Sequence, residues 1–66
     1  MIGDRIKELR EEKGISQSAL AKETGISQSK IARYELNKTE PKASEIKKFA
    51  DFFDVTADWL IEREKW

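Results

Sequence analysis

The sequence predicts an all-α fold built from five short helices. Apolar residues recur three and four positions apart, as on one face of a helix, and no segment alternates apolar and polar residues like a half-buried strand. The pentapeptide GISQS also occurs twice, at residues 14–18 and 25–29, and it joins a residue type that ends helices to one that begins them. We therefore expect a compact helical bundle that forms a single domain over residues 1–66.

The first helix is predicted over residues 2–13. Ile2, Ile6 and Leu9 follow a four-then-three spacing, so they share one helical face. Gly14 comes next and suits the left-handed backbone that commonly ends a helix.

The repeated pentapeptide predicts the starts of the next two helices. The serine at its third position, Ser16 or Ser27, is expected to act as an N-cap by accepting a hydrogen bond from a free backbone N–H group. The isoleucine before each serine is placed to contact an apolar residue in the new helix, which fixes the direction of chain entry. The first of these helices ends before Gly25 after about two turns. The second is expected over residues 28–35 or 36.

The same spacing of apolar residues predicts a fourth helix over residues 44–53. Its N-cap is not evident, because Lys42 and Ala43 stand where a hydroxyl residue is usual. A fifth helix is predicted over residues 57–64, with Thr56 as its N-cap.

Composition excludes most catalytic and metal chemistry. The chain contains no cysteine and no histidine, so it lacks disulfides, thiol and imidazole metal ligands, and the usual general base for a serine nucleophile. The three glycines are isolated and form no phosphate-binding loop. No secretory signal or membrane-spanning run is evident. We therefore predict a soluble, cytoplasmic protein that is not an enzyme, with no cofactor, no metal, no membrane partner and no evident small-molecule ligand.

Charge is balanced overall but unevenly distributed. Thirteen basic and thirteen acidic residues cancel, so the net charge does not by itself indicate a polyanionic partner. Residues 27–48 carry six basic side chains against three acidic ones, whereas residues 49–66 carry two against five. A local basic face is therefore compatible with a neutral molecule.

The central stretch SQSALAKETGISQSKIARYELNKTEP resembles the helix-turn-helix family of phage repressor and Cro proteins, often called the Xre family. The resemblance extends from RIKELREEKGISQ through FADFFDVTADWLI. Its signals include Gln17 at the start of the second helix, Gly25 in the turn and Pro41 after the third helix. It implies a five-helix bundle of the lambda-repressor-like DNA-binding type, in which helices 2 and 3, over about residues 16–36, form the helix-turn-helix.

The third helix carries the residues that we expect to read DNA bases. At 100° per residue, Ile31 faces one side of this helix, while Ser29, Lys30 and Arg33 face the other and Gln28 lies at its start. An amide suits an adenine edge and a guanidinium suits guanine, whereas the serine can bond almost any base and the lysine can reach a base or a phosphate. The resemblance implies that this helix enters the major groove of double-stranded DNA.

The resemblance also implies a set of residues that contact the DNA backbone. Gln17 begins the second helix, and Asn37 and Lys38 follow the third, with Thr39 and Lys42 as an extension of that segment. Asn37 stands where many relatives have glycine, and asparagine tolerates the same left-handed backbone.

Other residues are expected to hold the fold together. The resemblance implies an ion pair between Arg10 and Glu35, which we expect to set the tilt of the third helix against the first. Trp59 is expected in the core, and Tyr34 is expected to lie only partly in it. The remaining predicted core residues are Ile6, Leu9, Ile15, Leu20, Ile26, Ile31, Ile46, Phe49, Phe53, Val55 and Leu60. Trp66, with Ile61 and Phe52, is a candidate for a dimer surface.

These patterns together predict a sequence-specific transcriptional regulator from a bacterium or its phage. We expect a repressor that binds a palindromic DNA operator as a homodimer. The alternative is a protein-interaction module on the same scaffold, such as an antitoxin or an adaptor. Zero net charge favours this alternative, whereas Gln17, Gln28, Arg33 and Lys38 favour DNA.

Overall fold

The computed structural model describes residues 1–61, which form five α-helices and no strand. The helices are α1 (Ile2–Lys13), α2 (Gln17–Thr24), α3 (Gln28–Glu35), α4 (Ala43–Phe53) and α5 (Ala57–Ile61). The predicted all-α, five-helix fold is confirmed, although α4 begins a residue earlier than expected. The predicted extension of the last helix to residue 64 lies outside the described residues. Within residues 1–61, every helix is too short or too polar to cross a membrane.

The two copies of GISQS end and begin helices as their sequence predicts. Ser16 Oγ accepts a hydrogen bond from the N–H group of Ala19 at 3.0 Å, and Ser27 Oγ accepts one from Lys30 at 3.2 Å. Gly25 between α2 and α3 has a φ of 76°, in the left-handed region. The second copy of the repeat therefore fixes both ends of the short connection between α2 and α3.

The start of α4 uses a cap that the sequence did not reveal. The carboxylate of Glu45 accepts a hydrogen bond from the backbone N–H group of Lys42 at 3.1 Å, so it binds the residue just before the helix. This is the returning half of a capping box, in which an acidic side chain in the first turn binds a preceding N–H group. The last helix begins more simply, because Thr56 Oγ1 accepts a hydrogen bond from the N–H group of Trp59 at 3.0 Å.

The core lies where α1 packs on α3 and α5, and α2 packs on α3 and α4. Its buried members are Ile6, Leu20, Ile26, Ile31, Tyr34, Phe49, Ala50, Phe53 and Leu60. The predicted core residues Leu9, Ile15, Ile46 and Val55 are half-buried and pack against this cluster. Tyr34 is buried more completely than predicted, and its ring meets that of Phe49 edge to face, with the centroids 6.4 Å apart.

The expectation that Trp59 belongs to the core is wrong. The neighbouring Leu60 occupies the core-facing position of α5, so Trp59 is rotated by about 100° and is 39% exposed. The guanidinium carbon of Arg5 on α1 lies 4.3 Å from the centroid of the tryptophan ring. A cation–π contact therefore joins α1 to α5 at the surface.

The first turn of α1 packs closely against the end of α3. A Cβ atom at Gly3 would overlap the carbonyl oxygen of Tyr34, so only glycine fits this contact without movement. Beside it, Asn37 Nδ2 donates a hydrogen bond to Asp4 Oδ1 at 3.0 Å. The orientation of α3 is thus fixed at its C-terminal end by direct contact with α1.

Candidate nucleic-acid interface

One side of α3 is exposed and the opposite side is buried. Gln28, Ser29 and Arg33 are exposed, whereas Ile31 and Tyr34 belong to the core. The Ser27 cap fixes the start of the helix and the buried contacts hold it against the core, so the three polar side chains project from a helix that is anchored on its other side. α3 therefore presents an amide, a hydroxyl and a guanidinium together on one solvent-facing surface.

Arg33 is available for contacts outside the molecule. Its side chain takes part in none of the ion pairs that occur within residues 1–61. Gln28, at the start of the same helix, lies on the rim of a shallow depression beside the turn, together with Ser18, Lys22 and Gly25. This surface is open to solvent and is not covered by another part of residues 1–61.

Beneath α3, Arg10 and Glu35 form a bidentate ion pair between α1 and α3. Arg10 Nε lies 2.7 Å from Glu35 Oε2, and Arg10 Nη2 lies 3.0 Å from Glu35 Oε1. The two side chains are 13% and 3% exposed. Arg10 Nη1 also donates to the carbonyl oxygen of Ile15 at 2.8 Å. The hydrogen bonds with Glu35 raise the pKa of the Arg10 guanidinium, so the guanidinium stays charged.

Gln17 joins the same carboxylate from α2. Its Nε2 atom donates to Glu35 Oε1 at 3.0 Å, and this hydrogen bond is partly buried. The family resemblance implies that Gln17 contacts DNA phosphate, but the sequence gives no indication of this internal bond. Because Arg10 also binds Glu35, one buried carboxylate connects α1, α2 and α3.

A second buried carboxylate, Glu45 on α4, contacts the other side of α3. Glu45 Oε1 accepts a hydrogen bond from the hydroxyl of Tyr34 at 2.5 Å, and Oε2 lies 3.2 Å from the ammonium of Lys30. No single sequence motif predicts this cluster, although Lys30 and Tyr34 stand four apart on one face of α3 and Glu45 has capping-box spacing from Lys42.

The Glu45 cluster perturbs the titration of two of its members. Burial by itself raises the pKa of the Glu45 carboxyl, but hydrogen bonds from Tyr34, the Lys42 backbone and Lys30 together hold that pKa below its usual value. Burial, followed by the hydrogen bond to Glu45, raises the pKa of the Tyr34 hydroxyl to about 12. The carboxylate is therefore ionised and the phenol neutral at physiological pH.

The segment after α3 is exposed and anchored by its backbone. Asn37 has a φ of 59°, the left-handed conformation that the sequence predicts. The N–H groups of Asn37 and Lys38 donate to the carbonyl oxygens of Tyr34 and Arg33, at 2.9 and 3.0 Å. The side chains of Lys38, Thr39 and Lys42 remain exposed, whereas the amide of Asn37 is bound to α1.

Burial changes the charge balance that the sequence suggests for residues 27–48. Two of the three acidic side chains there, Glu35 and Glu45, are buried. Glu40 is exposed, and so are the basic residues Arg33, Lys38, Lys42, Lys47 and Lys48. The outward surface of this region is therefore mainly basic, although the whole chain is neutral.

The residues suggested for a dimer surface do not all lie in the described part of the chain. Ile61 is 46% exposed at the end of α5. Phe52 on α4 is half-buried, and the ammonium of Lys13 lies 5.4 Å from its ring centroid. Trp66 lies outside the described residues, so its part in this surface stays a prediction.

Comparisons with known proteins agree with this geometry. A family model described as "Helix-turn-helix" matches residues 6–60. An uncharacterised, SPbeta prophage-derived HTH-type transcriptional regulator of Bacillus subtilis (strain 168), YonR, is 34% identical over 62 residues, which are 94% of this chain but 57% of that protein. The chain therefore spans little more than half the length of this curated relative.

Two solved structures have the same fold. The N-terminal DNA-binding domain of SinR from Bacillus subtilis is 34% identical, with a TM-score of 0.89 over 100% of this chain and 97% of the other. The P22 c2 repressor, solved in complex with a synthetic operator, is 28% identical, with a TM-score of 0.89 over 97% of each chain.

Proposed function

This chain belongs to the helix-turn-helix family of DNA-binding transcriptional regulators, and from that premise we propose that it is a repressor that binds a palindromic operator as a dimer. In this proposal, residues 1–66 form one DNA-binding domain, which acts on double-stranded DNA in the cytoplasm. Membership of this family agrees with the prediction that the chain is not an enzyme.

The observation that carries the proposal is the exposed surface of α3. Gln28, Ser29 and Arg33 project together from a helix that is capped at its start and fixed by buried contacts. An α-helix fits the major groove, where Gln28 can bond the N6 and N7 atoms of adenine and Arg33 can bond the O6 and N7 atoms of guanine. Ser29 adds a contact that tolerates several bases.

Contacts with the DNA backbone would position this helix. Lys38, Thr39 and Lys42 are exposed after α3, and Asn37 places this segment through its left-handed backbone. Gln17 uses its amide nitrogen to bind Glu35, so that nitrogen is already engaged within the molecule. A helix N-terminus favours an anion through its free N–H groups and the helix dipole, so we assign phosphate binding to the start of α2 rather than to the Gln17 amide nitrogen.

Dimerisation would explain how so small a surface recognises one site in a genome. A two-fold dimer places its recognition helices about 34 Å apart, so that they face successive major grooves of a palindrome. Selection of bound sites from random duplex DNA tests both parts of the proposal. We expect two inverted half-sites with centres about 10 base pairs apart; a single asymmetric site would refute the dimer and leave DNA recognition in place.

Two substitutions separate base reading from backbone binding. Arg33→Ala should relax the preference at one base pair by about 1–3 kcal/mol, because the bidentate contact is lost. Lys38→Ala should weaken binding to all sequences equally and should reduce the salt dependence of binding by the amount expected for about one phosphate contact. Lys7→Ala, an exposed change on α1, is the control for the loss of a positive charge.

The outcomes distinguish DNA recognition from the alternative of a protein partner. If Arg33→Ala leaves the selected DNA site unchanged, Arg33 does not read a base. If the protein prefers no duplex and its binding does not weaken with added salt, the exposed surface of α3 is not a DNA-reading surface.

A further inference from the structure

Lys30 was predicted to read bases, but its charge is already engaged within the molecule. Its side chain is 47% exposed, yet its ammonium lies 3.2 Å from the carboxylate of Glu45, which is 9% exposed. It begins on the same helix as Gln28, Ser29 and Arg33, but it extends sideways to α4. The contact therefore draws a cation away from the surface that we propose for DNA.

Glu45 cannot follow Lys30 outwards. Its Oε1 atom accepts hydrogen bonds from the Tyr34 hydroxyl and from the N–H group of Lys42, and these hold the carboxylate beneath α3. If Lys30 left to bind a phosphate, a buried carboxylate would lose its cationic partner. Separating a buried charge from its partner is unfavourable, so the pair resists competition from DNA.

We propose that Glu45 is a positioning residue that limits sequence-independent DNA binding, because it holds the ammonium of Lys30 against α4 and prevents it from binding phosphate. This inference rests on the proposed function. A free lysine on the recognition helix would bind the phosphates of any sequence, so it would strengthen binding to every duplex without improving the discrimination between sequences. Restraining Lys30 leaves the discrimination between sequences to Gln28, Ser29 and Arg33.

The test compares Glu45→Gln with Asp51→Asn. Both changes remove one negative charge from α4, but Asp51 is exposed and, within residues 1–61, pairs only with the exposed Lys47 on its own helix. The amide introduced by Glu45→Gln still accepts hydrogen bonds from Tyr34 and Lys42, whereas it no longer attracts the ammonium of Lys30. Affinities are measured for the selected operator and for an unrelated duplex over a range of salt concentrations.

We expect Glu45→Gln to strengthen binding to the unrelated duplex and to steepen its logarithmic salt dependence by about 0.9, the value for one added phosphate contact. Between about 50 and 200 mM salt, a fourfold range, this slope adds a change of about 3.5-fold in affinity. The salt slope for the operator should steepen by the same amount, so the preference for the operator over the unrelated duplex should stay unchanged. Asp51→Asn should leave the slope unchanged, and adding Lys30→Met to Glu45→Gln should return the slope to that of the unaltered protein.

Each result decides the proposal. An unchanged slope with Glu45→Gln, or an increased slope that persists in the double variant, would overturn it. If circular dichroism shows that Glu45→Gln does not fold, Lys30→Met alone decides. If Lys30→Met lowers the salt slope of DNA binding as much as Lys38→Ala does, Lys30 binds phosphate freely. A clearly smaller decrease supports the restraint of Lys30 by Glu45. The unaltered protein's preference for the operator over the unrelated duplex tests the proposed function separately.

Discussion

Replacing Arg10 by methionine should unfold much of the protein, because it leaves a charged carboxylate without its partner where three helices meet. The side chain of Glu35 is only 3% exposed, and its carboxylate accepts two hydrogen bonds from the guanidinium of Arg10. Gln17 would remain as a neutral donor. Breaking a buried ion pair by removing one partner costs about 3–5 kcal/mol.

This cost is large compared with the stability of so small a domain. At about 0.05–0.15 kcal/mol per residue, a chain of 66 residues is stable by about 3–10 kcal/mol. Glu35→Leu should be similarly harmful, because the carbonyl oxygen of Ile15 would then be the one hydrogen-bond partner of the Arg10 guanidinium within residues 1–61. The double variant Arg10→Met/Glu35→Leu should be more stable than either single variant, since no buried charge is left unpaired.

Urea unfolding followed by far-ultraviolet circular dichroism measures these free energies. The dependence on urea should remain similar in all variants, so that differences in midpoint report stability. Lys47→Met is the matched control, because it breaks an exposed pair whose ammonium and carboxylate lie 3.7 Å apart and should change stability by less than about 1 kcal/mol.

Additive effects would refute the reasoning. If the double variant loses the sum of the two single losses, Arg10 and Glu35 act independently and the pair does not fix α3. If the double variant is stable, its DNA selectivity gives a second measurement. A stable fold with a changed selected site would show that the pair orients the recognition helix, as the sequence predicts.

Three further predictions concern local contacts. Gly3→Ala should destabilise the protein by about 1–3 kcal/mol in urea unfolding, because its Cβ would overlap the Tyr34 carbonyl oxygen, whereas Lys7→Ala on the same helix should have little effect. Tyr34, the single tyrosine, should titrate near pH 12 by ultraviolet absorbance. Because folding raises its pKa, Tyr34 contributes its full share to the free energy of unfolding below about pH 10. This share, about 3 kcal/mol in all, is lost as the pH rises towards 12. Tyr34→Phe should abolish this pH-dependent loss of stability. Ser27→Ala should cost about 1 kcal/mol through the lost N-cap, whereas Ser29→Ala should cost almost nothing; equal losses would contradict the cap.

The parts of the fold that the sequence predicts correctly are those determined by contacts between residues close together in the chain. Ser16 and Ser27 bind N–H groups three positions ahead, and Gly25 adopts its left-handed backbone without help from distant residues. The exposed side of α3 followed from helical geometry alone, because Ile31 must face the core. The placement of Arg10 and Glu35 came from the family resemblance rather than from spacing.

The contacts that sequence missed depend on how helices pack. Lys30 and Glu45 are 15 positions apart, and only the approach of α4 to α3 brings them together. Gly3 carries no sign in its own neighbourhood that the end of α3 will lie against it. Trp59 lies outside the core because a one-position difference on a short helix decides which of two neighbouring apolar side chains, Trp59 or Leu60, is buried.

The contact at Gly3 also limits how the protein can be labelled. The first turn of α1 lies against Tyr34 and Asn37, immediately before the exposed lysine and threonine that follow α3. A purification tag or fluorescent protein joined ahead of Met1 would thus begin beside the segment that we expect to meet the duplex. A bulky or cationic fusion there would obstruct or imitate operator binding, so binding measurements require a cleaved tag.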